Sequence, residues 1–410
     1  MSEFIPITTL ENGIRLIHKE AQSPISHFGV LVNAGTRDEV AECEGVAHFV
    51  EHTIFKGTIH RNAYQVTNRI ECMGGDLNAC TAKEDTCFHA SFLSSDYERT
   101  VELLADILFN ATFPEKEIEK EKDVVLEEMN YYKDAPAELI FDEIEEVVFK
   151  NHALGKNILG TKKSLKKIHR DSILNFVKAH YTAPNIVLSS VGDIATDKLL
   201  KIVRKYFNRP LPADKSHHRT PFTQYVPTTV CKHKNISQTH IMLANVAYSL
   251  DNDKRLPLVI LTNLLGGPAL SARLNNVIRE KYGLAYSVEA NYTPFSDTGL
   301  FSIYLACENP MMEKCINLAF HELDKLTKQK LGSLQLHYAK KQFMGQIAIN
   351  NEAKLNEMLS IGRSALCFDE VETTEASFKK IEALTAEQLL EVANEVFVPE
   401  QFTKLIYTKY

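Results

Sequence analysis

The run His48-Phe49-Val50-Glu51-His52 places two imidazoles and a carboxylate inside a stretch that is otherwise mostly apolar, from Gly45-Val46-Ala47 to Thr53-Ile54-Phe55. Such a segment reads as a helix packed inside the fold, and burial of its three polar side chains needs a compensating partner. On an α-helix, residues four apart share a face, so His48 and His52 can both turn a ring nitrogen toward one cation. Glu51 follows His48 by three residues and lies on nearly the same face, where it can accept a hydrogen bond from a metal-held water without ligating the metal. A lone histidine here would be an ordinary core or surface residue. Two at this spacing read as a zinc site with its own general base.

The order H-x-x-E-H is the inverse of H-E-x-x-H and points to metallopeptidases of the inverted type. A catalytic zinc normally takes three protein ligands, so a third is expected elsewhere in the chain. The candidate segment, Glu115 to Asn130, is a charged helix interrupted by Val124-Val125-Leu126. Most of its carboxylates read as a solvated face. Glu121 and Glu128, seven apart with Val124 and Val125 between them, are expected on the stripe that turns toward the core. Spacing alone leaves Glu127 open as the ligand beside Glu128.

With 410 residues, 44% of them hydrophobic, the chain is long enough for two domains and two substantial cores. A net charge of −7 argues against a general nucleic-acid binder and leaves peptides as the expected partners. The start, MSEFIPITTLENGIRLIHKE, has no basic region followed by an apolar stretch, and no run of about 18 apolar residues occurs. No membrane association is expected. Eight cysteines without a C-x-x-C pair read as free thiols in a reducing cytoplasm.

The proline-containing stretch 208–222, NRPLPADKSHHRTPF, reads as a linker. It divides the chain into an N-terminal metal-binding domain, 1–209, a linker, 210–221, and a C-terminal substrate-binding domain, 222–410. The order of strand-like and helical segments partly recurs across this boundary. The clearest echo pairs Gly74–Ala79 and Phe88–Phe92 with Gly283–Tyr286 and Gly299–Tyr304. The second half lacks H-x-x-E-H. The expected fold is α+β: two similar α/β domains related by internal duplication, each an antiparallel-rich sheet packed by helices.

The block GVAHFVEHTIFKGT, Gly45 to Thr58, closely resembles the metal helix of the pitrilysin-type zinc peptidases (M16), the family of the mitochondrial processing peptidase and insulin-degrading enzyme. The resemblance spans nearly the whole chain and is to the short bacterial members. The resemblance implies Glu128 rather than Glu127 as third ligand, one zinc per chain, and Glu121 as a glutamate that orients a histidine ligand. It also implies two domains enclosing a chamber, a homodimer, and a zinc endopeptidase of unstructured peptides.

Within the family pattern, Gly75 to Thr81 resembles an edge strand to which substrate adds as a further strand, with Asn78 and Ala79 as substrate contacts. Arg279 and Tyr286, in VIREKYGLAYSV, match a pair that holds the substrate or the developing oxyanion. Without the resemblance, Arg279 would read as a surface ion-pair residue and Tyr286 as a half-buried strand aromatic. Many relatives carry three glycines upstream of that pair. Here the loop is Gly266-Gly267-Pro268-Ala269, which the proline should stiffen. The fold also supplies non-catalytic scaffold or partner subunits, which usually lose the metal residues, and a peptide-binding module would use the same strand addition. Retention of His48, Glu51, His52 and Glu128 favours the enzyme.

Overall fold

Ile25–Val32 and Ile186–Gly192 become neighbouring central strands, and almost every residue in them is buried. Covered on both faces, such strands need not alternate polar with apolar residues. The computed structural model describes residues 3–212 and 219–409. Its first sheet contains β1 (Ile7–Thr9), β2 (Arg15–Glu20), β3 (Ile25–Val32), β4 (Asp76–Thr81), β5 (Thr86–Leu93) and β6 (Ile186–Gly192), in the order β1-β2-β6-β3-β5-β4. The pair β2/β6 is parallel, and the other neighbours are antiparallel.

The second sheet contains β7 (Thr229–Lys234), β8 (Thr239–Ala247), β9 (Ala285–Pro294), β10 (Gly299–Cys307) and β11 (Thr403–Lys409), in the order β7-β11-β8-β10-β9. Here β7/β11 is parallel and the remaining pairs are antiparallel. Strand for strand, β7, β11, β8, β10 and β9 repeat the order and senses of β2, β6, β3, β5 and β4. The hairpin echo in the sequence is therefore the pair of edge hairpins β4–β5 and β9–β10. Each sheet is mixed, with one parallel pair.

Two compact units contain these sheets. The first comprises residues up to Met129, Lys156–Arg219 and Ala348–Ala376, and the second comprises Asn130–Gly155, Thr220–Ile347 and Ser377 onward. Two segments thus depart from contiguous halves. Residues 130–155 join the second unit because Ile140, Ile144 and Val148 of the helix Pro136–Val148 pack into the core that includes Met242, Ala244 and Leu405. The helix Lys354–Phe368 joins the first unit: Met358 is buried there and its carbonyl accepts the Ser189 hydroxyl at 2.6 Å. Of the expected linker 210–221, residues 213–218 lie outside the described residues.

All eight cysteines are free. Among the described residues no helix is long and apolar enough to cross a membrane.

Candidate metal centre

Val46–Ile54 is a single nine-residue helix with seven buried residues. It begins at Gly45, whose φ of +89° belongs to the left-handed region, and a Cβ there would lie 2.6 Å from the Leu159 carbonyl oxygen. Only glycine fits that start without strain. The helix has no side-chain cap of its own. Instead the buried carboxylate of Glu39 accepts the N–H groups of Gly45 at 2.8 Å and Ala47 at 2.9 Å, satisfying two donors that the first turn leaves open.

The long helix Glu115–Asp134 brings the expected carboxylates to this one. One atom each from His48, His52 and Glu128 lies within 4.8 Å of the others. Glu128 Oε2 stands 3.4 Å from His52 Nε2 and 3.7 Å from His48 Nε2. That oxygen is buried without a well-formed hydrogen bond, and so is His48 Nδ1. Leaving such groups unpaired costs about 1–3 kcal/mol each. The spacing suits a cation, since two ligands about 2.0–2.1 Å from a tetrahedral zinc are about 3.4 Å apart. Two imidazoles and one carboxylate match a catalytic zinc set, and manganese or cobalt accepts the same donors.

The electrostatics agree. Burial, reinforced by the neighbouring His52, holds His48 down at about 4 and so keeps its ring neutral. The His52 contact, opposed by burial, holds Glu128 below the ordinary carboxylate range. Burial disfavours a charged His52, but Glu128 and Glu121 outweigh it and raise that ring. Burial also raises Glu51, against the Thr81 hydroxyl, which moves the carboxylate toward the range useful to a base at neutral pH.

Glu121 is buried, accepts from His52 Nδ1 at 3.2 Å, and is held on its other oxygen by Lys56 Nζ at 2.7 Å. A proton fixed on Nδ1 leaves Nε2 as the nitrogen that faces Glu128. The valine patch does not turn inward as a unit: Val125 is buried, whereas Val124 is 48% exposed, because 100° per residue carries adjacent positions to different faces. Glu127 is exposed.

Asn78 and Ala79 lie on β4, which is the edge of the first sheet, and the Asn78 side-chain oxygen accepts the Ala79 N–H at 2.8 Å. Arg279 and Tyr286 lie in the second unit, the guanidinium 5.1 Å from the centre of the ring, with Tyr286 75% exposed at the start of the edge strand β9. Gly266 touches β9 closely, since a Cβ there would lie 2.5 Å from the Ala290 nitrogen. Sequence reading gives no role to Glu39 or Lys56, and places Thr81 only within the edge-strand run Gly75 to Thr81, without a link to Glu51. Strand alternation groups Thr81 with Leu77 and Ala79, but which face meets the helix is decided by packing.

Fold and site together define a two-domain α+β protein with an inverted H-x-x-E-H centre in its first unit. Residues 15–162 match the family model described as insulinase, peptidase family M16, and residues 167–343 match the one described as peptidase M16 inactive domain. The chain belongs to peptidase family M16. It is 30% identical to the uncharacterized zinc protease YmxG of Bacillus subtilis, with 97% of both chains covered. An uncharacterized zinc protease of Mycobacterium leprae is 32% identical, covering 95% of this chain and 88% of its own. The fold is similar to that of a protease from Helicobacter pylori, with a TM-score of 0.88 at 21% identity, covering 98% of this chain and 99% of that one. A Pseudomonas fluorescens structure described as a peptidase M16 inactive domain gives a TM-score of 0.89, also at 21% identity, covering 99% and 98%.

Proposed function

We propose that this protein is a zinc-dependent endopeptidase of unstructured peptides. The observation that carries the reading is the convergence of His48, His52 and Glu128 beside the carboxylate of Glu51. His48, His52 and Glu128 would hold the ion, and zinc there would polarise a scissile carbonyl and acidify the attacking water. Glu51 takes the water's proton and returns it to the leaving amine. Thr81 holds Oε2 at 2.5 Å, which leaves Oε1 for that transfer.

Substrate lies extended along β4, where main-chain pairing makes recognition tolerant of sequence, with Asn78 and Ala79 as its contacts. Arg279 and Tyr286 take the part the family pattern gives them, as donors to the substrate or the developing oxyanion. Eight free thiols support a reducing compartment such as the cytoplasm. The resemblance to short bacterial members supports a homodimer.

The test is cleavage of a quenched, unstructured peptide by the zinc-loaded protein and by Glu51→Gln, each with and without chelator. Turnover that chelation abolishes, and that Glu51→Gln lacks while still binding zinc, is the expected result. An inert wild type would favour a non-catalytic partner subunit, and peptide binding that survives chelation would favour a binding module.

A further inference from the structure

The centre has one hydrogen bond that ties its base to the substrate strand. Thr81 is the last residue of β4 and pairs with Thr86 on β5. Its hydroxyl donates to Glu51 Oε2 at 2.5 Å, and both groups are half-buried. Alternation places Leu77, Ala79 and Thr81 on one face of β4. The opposite face, with Cys80, meets the helix Lys354–Phe368, where Arg363 Nη2 stands 4.0 Å from Cys80 Sγ. The outer side of β4 carries no neighbouring strand among the described residues. One short strand therefore has an edge without a strand partner among the described residues and presents one hydroxyl to the base.

We propose that Thr81 is a positioning residue that fixes the orientation of the Glu51 carboxylate and links it to occupancy of the β4 edge. The inference rests on the endopeptidase reading above and deepens it. A glutamate has three side-chain torsions, and a hydrogen bond on one oxygen removes much of that freedom, so that the other oxygen meets the water in one geometry. A peptide added along β4 would give the strand that carries Thr81 a second hydrogen-bonded neighbour beside β5. Pairing remote from the scissile bond then improves the chemical step as well as binding, which is how remote contacts raise kcat. The substrate class that benefits is an extended peptide long enough to pair along Asp76–Thr81.

The experiment compares wild type, Thr81→Val and Thr81→Ser on two quenched peptides with the same scissile pair, one of about four residues and one long enough to pair along the strand. In the wild type, kcat is expected to be higher for the longer peptide. Thr81→Val should lower kcat on the longer peptide about 10–100-fold, the scale of a misplaced catalytic group. It should also abolish the dependence of kcat on length while KM keeps its own. Thr81→Ser, which restores the hydroxyl, should behave as wild type. Zinc content of Thr81→Val should match wild type and its urea midpoint should fall only by the small amount expected for one lost half-buried hydrogen bond, which separates positioning from a general structural defect. An active wild type that Thr81→Val equals, a serine variant as impaired as the valine one, or a loss that tracks zinc content would overturn this inference alone. A zinc-loaded wild type without turnover would overturn the endopeptidase reading, and this inference with it.

Discussion

The Glu39 carboxylate accepts the Ala47 N–H at 2.9 Å, so the helix that carries His48, Glu51 and His52 is capped by a residue outside it. Burial pushes Glu39 up to about 8, against the pull of the Ala47 and Gly45 N–H groups and Lys156. An acid raised in the folded state contributes its full stability below its ordinary value of 4.5 and loses it as pH rises through 8. Urea unfolding should therefore show stability falling by a few kcal/mol across that window, at about 1.4 kcal/mol per pKa unit. Glu39→Gln should flatten this slope. Parallel pH curves for the two proteins would refute the assignment.

Gly45→Ala should be costly for two reasons, and Gly74→Ala for only one. Gly45 combines a φ of +89° with a backbone oxygen 2.6 Å from the added Cβ, whereas Gly74 has a φ of +76° with nothing within 4 Å. The expected losses are about 3 kcal/mol and about 1 kcal/mol, read from denaturant midpoints. Equal losses would mean that the Leu159 contact relaxes freely.

Glu128 and Glu127 separate in a zinc titration. Zinc at a thousandfold excess over its Kd should stabilise wild type by about 4 kcal/mol in thermal unfolding, and Glu127→Gln should behave alike. Glu128→Gln should lose most of the gain. A shift retained in Glu128→Gln would remove that residue from the ligand set.

The chain of contacts from Lys56 to Glu121 to His52 should tune the ion as well as hold the turn. Glu121→Gln is expected to weaken zinc about 10–100-fold in competition with a chromophoric chelator, and Lys56→Met in the same direction but less. Unchanged affinity in Glu121→Gln would leave that residue a packing role alone.

Tyr286→Phe removes a hydroxyl from an exposed ring, so stability and zinc content should stay as in wild type. A donor to the oxyanion would show as a fall of about 10²–10³ in kcat. A change confined to KM would instead make it a substrate contact.

The sequence by itself determined the parts that depend on local periodicity and on donor chemistry. H-x-x-E-H on a 3.6-residue repeat fixes His48, Glu51 and His52 to one side of a helix wherever that helix is placed. The β4–β5 and β9–β10 hairpins were legible because each is local and repeated. Tertiary structure alone decided the rest. Charge pattern could not separate Glu128 from Glu127, and the valine patch misled for Val124, because one helical step of 100° settles exposure only once the partner surface is known. Glu39 reaches the metal helix from a loop six and eight residues before the N–H groups it accepts, and Thr81 reaches Glu51 from a strand end thirty residues on. The exchange of residues 130–155 and 348–376 between the two units has the same cause, for a helix joins whichever apolar sheet face covers its stripe, and no local pattern names that face.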